Sequence, residues 1–526
     1  MTKYLFGSAV QGIQNFIFQT NKLREIVGAS DLVSEVCTSL FRQVLEEVAT
    51  FDEKCSIIAA AGNVKYVFDS ETDCAQVVRE WPRRVEHFAP GVKVSQAVVK
   101  WDEEKENFAQ VVTRLEQNLR TQRSRPTRPL HLGLASTQRS RSTGQVVVQQ
   151  LKDNYLDAAT LAKLYELKDK ELNERKTTNR LCVRAFGKDF VRDREVAYDI
   201  EDLEGANSWI AIIHADGNGL GQVVQRIGNQ RDKFQQFSKK LDEATLCAAQ
   251  RAYAEITPEE GWGEGKRIPL RPIVLGGDDL TIICRGDLAV RYTKAFLEAF
   301  EKETHEKLGD MLEGVFTEGA VCDRLTACAG IAFVKSSFPF YYGYHLAEEL
   351  CGAAKSNAKR KGVPDSPEAQ GKALPPSCLM FHKVQDSFVK KYEDMVGREL
   401  TPQQGTSWQA GPYYLNAEAA KVRHRTTCDQ LQTWVDELAG KGESDAKEAN
   451  AVKSHLRRWL SEMHENEEYA CQHIKRVQKL LSSASLEKLT SALTSPISKD
   501  EEGVTLRYPL YDVLALHSIC YLQTQR

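Results

Sequence analysis

The sequence predicts an α+β protein in which a β-α-β-β-α-β unit occurs twice, with a helical connector between the copies and a helical bundle at the C-terminus. Three observations predict it. A strand, helix, hairpin order occurs near the N-terminus and returns about two hundred residues later. Each hairpin consists of strand-length apolar runs on either side of a glycine-bearing turn. From about Asn416 onward the chain is rich in Leu, Ala and charged residues with few glycines, as packed helices are.

The first unit spans residues 1–150. Tyr4 to Val10 reads as a strand, and Ile13 to Leu45 places apolar residues at helical spacing. Ser56 to Phe68 reads as two strands joined by a tight turn at Gly62-Asn63, residues that tolerate left-handed backbone. Gln117 to Leu151 contains no acidic residue but carries Arg120, Arg123, Arg125, Arg128, Arg139 and Arg141, with Pro126, Pro129 and Gly144 opposing helix. A basic loop or ribbon is expected there, either solvated or facing a negatively charged partner. The connector, 151–205, is mixed in charge and helical at least to Arg180.

The second unit, 206–410, restarts the order. Trp209 to Ala215 is a strand, Asp216-Gly217-Asn218-Gly219-Leu220-Gly221 a glycine-rich turn, and Val223 to Ala254 an amphipathic helix. Arg271 to Cys284 is a hairpin, Leu288 to Leu308 a helix, Leu325 to Val334 a strand, and Tyr344 to Lys361 a helix. This is close to the ferredoxin-like unit that forms the palm of many polymerases and nucleotide cyclases. Residues 411–526 form the helical domain, clearest at Leu431 to Leu438 and His455 to Leu481.

A chain of 526 residues is too long for one core. Lys plus Arg (70) against Asp plus Glu (73) leaves a net charge of −3, so any nucleic-acid surface must be local. No apolar run approaches the ~20 residues that span a bilayer, and the start lacks a basic segment leading into an apolar one. A cytoplasmic protein with no membrane contact is expected. The 13 cysteines form no C-x-x-C pair, which argues against a zinc ribbon and, with their odd number, against a disulfide framework.

The chemistry concentrates in the second unit. Gly276-Gly277-Asp278-Asp279 lies between strands that are apolar on both sides. Carboxylates near a partly buried surface need a cation, and a divalent metal meets that need. The glycines allow a sharp turn and let phosphate and metal approach without meeting a Cβ. By itself such a turn could be no more than an exposed Gly-Asp hairpin. Asp216, however, ends an earlier strand, and in a palm topology that strand lies beside the hairpin. Asp216, Asp278 and Asp279 are therefore the expected metal ligands and catalytic acids, holding two Mg²⁺ or Mn²⁺ ions. The turn through Gly217, Asn218, Gly219, Leu220 and Gly221 leads into a helix, where backbone N–H groups favour phosphate. Lys355 and Lys359, one helical turn apart, are placed to bind the β and γ phosphates, or else are solvated surface lysines.

Together these motifs resemble the large polymerase-like subunit of type III CRISPR effector complexes, and the resemblance covers nearly the whole chain. Val10-Gln11-Gly12-Ile13-Gln14-Asn15-Phe16-Ile17 and the stretch Lys22 to Leu32, which contains Ser30, are similar to the opening of that family's first palm. Asp216 to Gly221, Gly276 to Asp279 and Leu325 to Ala332 are similar to motifs of its second palm. The resemblance implies a cyclic oligoadenylate synthase for antiviral defence. The 3′-hydroxyl of one ATP attacks the α-phosphorus of another and pyrophosphate leaves. It also implies a guide RNA complex and its other protein subunits as partners, with RNA bound through that complex.

The sequence departs from the family in several places. Asn218 stands where aspartate is common. Ala61-Gly62-Asn63-Val64 replaces the acidic turn in the first palm, so that palm, with Ser30 and Asn63, is expected to bind a nucleotide as acceptor or to act as a scaffold. No His-Asp dipeptide and no cysteine-rich zinc motif occur, so no HD-type nuclease is expected. Two other readings stay open: a stand-alone cyclic-dinucleotide synthase related to GGDEF enzymes, and a nucleotide-binding scaffold subunit.

Overall fold

The computed structural model describes residues 2–60, 62–125, 136–152, 154–166, 180–187, 196–204, 208–227, 230–259, 262, 267–316, 318, 323–386, 391–403, 405–440, 446–481, 483–499 and 505–521.

Strand β1 (Thr2–Gln11) is central to the first sheet because both of its faces are apolar: Leu5 and Phe6 are fully buried on opposite sides. It pairs antiparallel with β3 (Asn63–Phe68) and β4 (Lys93–Asp102), and β2 (Ser56–Ala60) completes the order β2-β3-β1-β4. Residues 13–45 do not form one helix. They divide into Ile13–Ile17, Leu23–Glu35, a π-helical turn Val36–Leu40, and Phe41–Glu46. Asn63 lies within β3, opposite Ala9 and Ala60, so the loop of this hairpin falls one residue earlier than expected.

The basic segment is only partly a loop. Arg120 and Arg123 end the helix Phe108–Arg123, whose first turn is fixed by a capping box at Asn107. Arg139 bridges to Val146, and Arg128 lies outside the described residues. The connector expected to be helical opens with a hairpin that straddles residue 150, β5 (Val147–Leu151) with β6 (Asn154–Asp157). Helices Ala158–Glu166 and Arg180–Phe186 follow.

In the second sheet, β7 (Trp209–Gly217), β8 (Leu270–Gly276), β9 (Asp279–Arg285) and β10 (Ala327–Lys335) run β8-β9-β7-β10, the order of the first sheet. Both units are therefore ferredoxin-like palms. β11 (Cys378–Lys383) adds parallel to β10 after the crossover helix Phe340–Ala358. The single helix expected from Val223 to Ala254 is two, Leu220–Ile227 and Arg231–Ile256.

The C-terminal region is tied to this palm rather than set apart. β13 (Tyr413–Tyr414) extends the second sheet, while β12 (Thr406–Ser407), β14 (Ser498–Lys499) and β15 (Leu506–Arg507) form a small sheet of order β12-β15-β14 across the expected boundary at 410. Helices Cys428–Leu438, Ala446–Glu465, Glu467–Leu480, Ala484–Thr494 and Leu510–Cys520 then pack on it.

The two palms share one apolar core. Phe6, Phe18 and Phe41 of the first belong to the same cluster as Cys328, Ala332 and Tyr344 of the second. Phe18 stacks on Tyr344 with ring centroids 4.4 Å apart. Each such ring contributes about 1.5–3 kcal/mol by burial, so the palms are held together by core packing and not by a surface contact.

Candidate active site

The register of the second sheet assembles the acids. Asp216, next to last in β7, sits directly opposite Asp279, the first residue of β9. Gly276 pairs with Asp279 across the hairpin, which leaves Gly277 and Asp278 as a two-residue turn, and Gly277 has φ +63°. One carboxylate oxygen from each of Asp216, Asp278 and Asp279 lies within 4.8 Å of the others. The approach is close enough that a Cβ on Gly217 would stand 2.8 Å from the Asp278 Cβ.

The turn is gripped from behind by the helix Arg231–Ile256. Asp242 Oδ1 accepts the Gly277 N–H at 3.2 Å, and Thr245 Oγ1 donates to the Gly277 carbonyl at 2.5 Å. Arg184 donates to Asp242 Oδ2 at 2.9 Å.

Like charges opposite one another in a sheet destabilise it. Burial, reinforced by the neighbouring carboxylates, raises the pKa of Asp278 well above the ordinary carboxylate range. Asp279 is raised by burial and by Asp216, with Lys355 opposing. Lys355 is the compensating cation. It reaches in from the helix Phe340–Ala358, pairs with Asp216 Oδ2, and donates to the Gly217 carbonyl at 2.9 Å. Burial lowers its pKa, but Asp216, joined by Cys351 and Cys328, holds it above its ordinary value. On the same face of β7, His214 Nδ1 lies 3.2 Å from Thr281 Oγ1 and the ring rests against Tyr344. Burial keeps its pKa low.

A cavity of about 330 Å³ opens between the palms. Ile13, Gln14, Ser30 and Gly62 line it from the first palm, His214, Asp279, Thr281 and Tyr344 from the second, and Arg184 from the connector. Gln14 links its walls, donating to Tyr344 Oη at 2.8 Å and to Glu348 Oε1 at 3.2 Å.

The donor set fits Mg²⁺ or Mn²⁺. Three carboxylates supply only hard oxygen ligands, and the mutual repulsion that raises Asp278 and Asp279 is what a divalent cation relieves.

The other expected site residues divide. Gly217, Gly276 and Gly277 border the acids. Asn218 is buried, its N–H donates to the Thr326 carbonyl at 2.8 Å, and its Nδ2 donates to Thr326 Oγ1 at 3.1 Å and Cys328 Sγ at 3.4 Å. Its side chain anchors the turn to Thr326 and to Cys328 of β10. Gly219 packs against Leu374 and Phe316, Leu220 leans on the core, and Gly221 is exposed in the first turn of its helix. Lys359 caps the C-terminus of the Lys355 helix and makes no ion pair with the acids. Ser30 lines the cavity, but its hydroxyl donates to the Ile273 carbonyl across the palm interface. Gly62, rather than Asn63, forms the cavity wall.

The sequence reading missed Arg184, Asp242 and Thr245. Asp242 lies in Lys239-Lys240-Leu241-Asp242-Glu243, which has the composition of a solvated helix face.

Residues 209–363 match the family described as Cas10/Cmr2, second palm domain. The chain is Cas10-like. Among solved structures, the Cas10-like fold aligns with a Csm1-Csm4 cassette in complex with cA4 at TM-score 0.55 and 13% identity, covering 98% of this chain and 69% of that one. A Csm1-Csm4 cassette in complex with AMPPNP gives 0.54 and 14%, over the same shares of the two chains. The Csm1-Csm4 subcomplex of the type III-A CRISPR-Csm interference complex gives 0.56 and 12%, again with 98% of this chain and 69% of that chain covered. At such identity the likeness carries the fold. No curated protein matches the chain by sequence. Among the described residues, no helix is long and apolar enough to cross a membrane.

Proposed function

We propose that this Cas10-like chain is a nucleotidyltransferase that joins ATP through 3′–5′ phosphodiester bonds into cyclic oligoadenylates for antiviral defence. The observation that carries the reading is the cluster of Asp216, Asp278 and Asp279, with Lys355 paired to Asp216 and with Asp279 lining the cavity shared by the two palms. Mg²⁺ or Mn²⁺ held by those acids supplies Lewis-acid polarisation of the attacking hydroxyl and charge stabilisation at the leaving oxygen.

The chain's own contribution is positioning and charge, which is what phosphoryl and nucleotidyl transfer needs. Asp242 and Thr245 fix the turn that bears Asp278. Lys355 orients Asp216 and brings a positive charge to the place where a triphosphate would lie, with Lys359 one turn further along the helix. The first palm, with no acids at Ala9, Gly62 and Asn63, serves as the acceptor side or the scaffold. The solved relatives are cassettes of Csm1 with Csm4, bound to cA4 or AMPPNP, and this supports partner subunits and an adenine nucleotide here.

The test is incubation of purified protein with each labelled nucleotide and Mg²⁺ or Mn²⁺, with and without a guide RNA complex and target RNA. Cyclic adenylates formed by the wild type, and absent with Asp278→Ala plus Asp279→Ala, support the reading. A two-nucleotide ring made by the chain alone would favour a stand-alone dinucleotide synthase. Nucleotide binding with no product under any condition would favour a scaffold.

A further inference from the structure

The palm–palm cavity holds a cation that the acid cluster does not use. Among the described residues that line it, Arg184 is the one lysine or arginine. It comes from the connector helix Arg180–Phe186, and its backbone is fixed from the second palm, where Gln250 Nε2 donates to the Arg184 carbonyl at 2.8 Å. Its Nη2 is committed to Asp242, at 2.9 Å from Oδ2 and 3.2 Å from Oδ1. The side chain remains about a third exposed, at 35%. A guanidinium has five donors in a fixed plane, so one edge can stay on Asp242 while the rest meets a second oxyanion.

We propose that Arg184 is a phosphate-binding residue of this site, receiving a phosphate oxygen of the nucleotide in the palm–palm cavity while Asp242 holds the guanidinium in orientation. The proposal rests on the reading that nucleotide enters this cavity, and it adds to that reading a contact from the connector. Three observations support it. The wall around Arg184 is otherwise neutral or acidic, so an anionic ligand has no other lining cation to choose. Arg184 is held in place by a carboxylate, which lowers the conformational cost of meeting a ligand. Asp242 Oδ1 also accepts the Gly277 N–H, so the carboxylate that orients Arg184 is the one that fixes the turn bearing Asp278. The phosphate contact and the metal-binding turn are thereby set by one side chain.

The experiment measures binding of AMPPNP and of adenosine, each with Mn²⁺, to the full chain and to Arg184→Ala, Arg184→Gln and Arg184→Lys, with thermal unfolding of every variant alongside. A charge-assisted contact predicts that the Ala and Gln variants weaken AMPPNP binding about tenfold, that Lys recovers part of it, and that adenosine affinity changes less than about twofold. Unchanged AMPPNP binding in both the Ala and Gln variants would overturn the proposal. So would an equal loss for AMPPNP and adenosine, which would mark Arg184 as a support for Asp242 alone. Asp278→Ala plus Asp279→Ala is measured in parallel. If that variant binds AMPPNP with Mn²⁺ as the wild type does while Arg184→Ala remains weakened, the acid-site reading fails and the Arg184 contact stands.

Discussion

Replacing Asp278 by Asn should stabilise the metal-free protein while abolishing its proposed activity. The three carboxylates have oxygens within 4.8 Å of one another, and at an effective dielectric near 20 each like-charged pair at that separation repels by about 3 kcal/mol. Lys355 offsets the charge on Asp216, which leaves chiefly the Asp278–Asp279 pair, so the net relief from neutralising Asp278 should be at least about 3 kcal/mol. The pH dependence has a definite sign. Burial and the neighbouring acids raise the folded-state pKa of Asp278 to about 8, above its unfolded value. The folded protein then binds the extra proton, and wild-type stability falls as pH rises from about 4 to about 8. Asn carries no such proton, so the advantage of the variant should be small at pH 5 and full at pH 8. Chemical unfolding of metal-free protein at both values measures it. Added Mn²⁺ should stabilise the wild type more than the variant, because binding to the native state alone adds to stability. A variant less stable than wild type at pH 8, or shifted equally at both pH values, would refute the claim that the cluster is under electrostatic strain.

Asp216→Ala should stop nucleotide joining, whereas Asn63→Ala should affect acceptor binding at most; equal losses of single-turnover rate at saturating nucleotide would contradict a single catalytic palm. Lys355→Met should lower kcat/KM at least about tenfold, as loss of a charged contact does, and move the acid limb of the pH profile upward, because Lys355 holds down the pKa of Asp279. An unmoved acid limb would sink that assignment. Gly217→Ala places a Cβ 2.8 Å from the Asp278 Cβ and should cost about 1–3 kcal/mol of stability together with most of the activity, read by thermal unfolding and product formation.

The parts of the site that were legible in the sequence are those whose signal is local. Apolar runs ending in acids pointed to Asp216, Asp278 and Asp279, and helical spacing put Lys355 on the correct helix. The rest depends on contacts distant in sequence. Arg184 meets Asp242 58 residues away, and nothing in either neighbourhood marks the pair. The bonds from Asn218 to Thr326 and Cys328 were equally hidden, because a polar residue in a glycine-rich turn looks the same whether or not it anchors to a strand about 110 residues away. That one helix ends at Ile227 and the next starts at Arg231 was hidden by the amphipathic pattern that continues on either side. The small strands at Thr406–Ser407 and Leu506–Arg507 are too short for any periodicity to show.

The two palms make the origin of the asymmetry concrete. In the second, Asp216 stands opposite Asp279, and Gly276 and Asp279 close the turn. In the first, the same positions of the same topology are Ala9 opposite Asn63, with Ala60 and Asn63 closing the turn. The Asp278 position becomes Gly62, at φ +76°, while in the second palm the left-handed residue is Gly277, one place earlier. The backbone scaffold is repeated, then, but the position that carries the Asp278 carboxylate in the second copy is Gly62 in the first. With no carboxylates to repel one another, the first palm needs no counterpart of Lys355, and Gly62 lies flat against the cavity. Two acidic turns facing one cavity of about 330 Å³ would add a second set of buried repulsions to the one already resisted by Lys355. Removing the acids from one palm leaves a neutral wall against which a nucleotide can be held opposite the charged one, and the core shared by Phe18 and Tyr344 keeps the two walls in register.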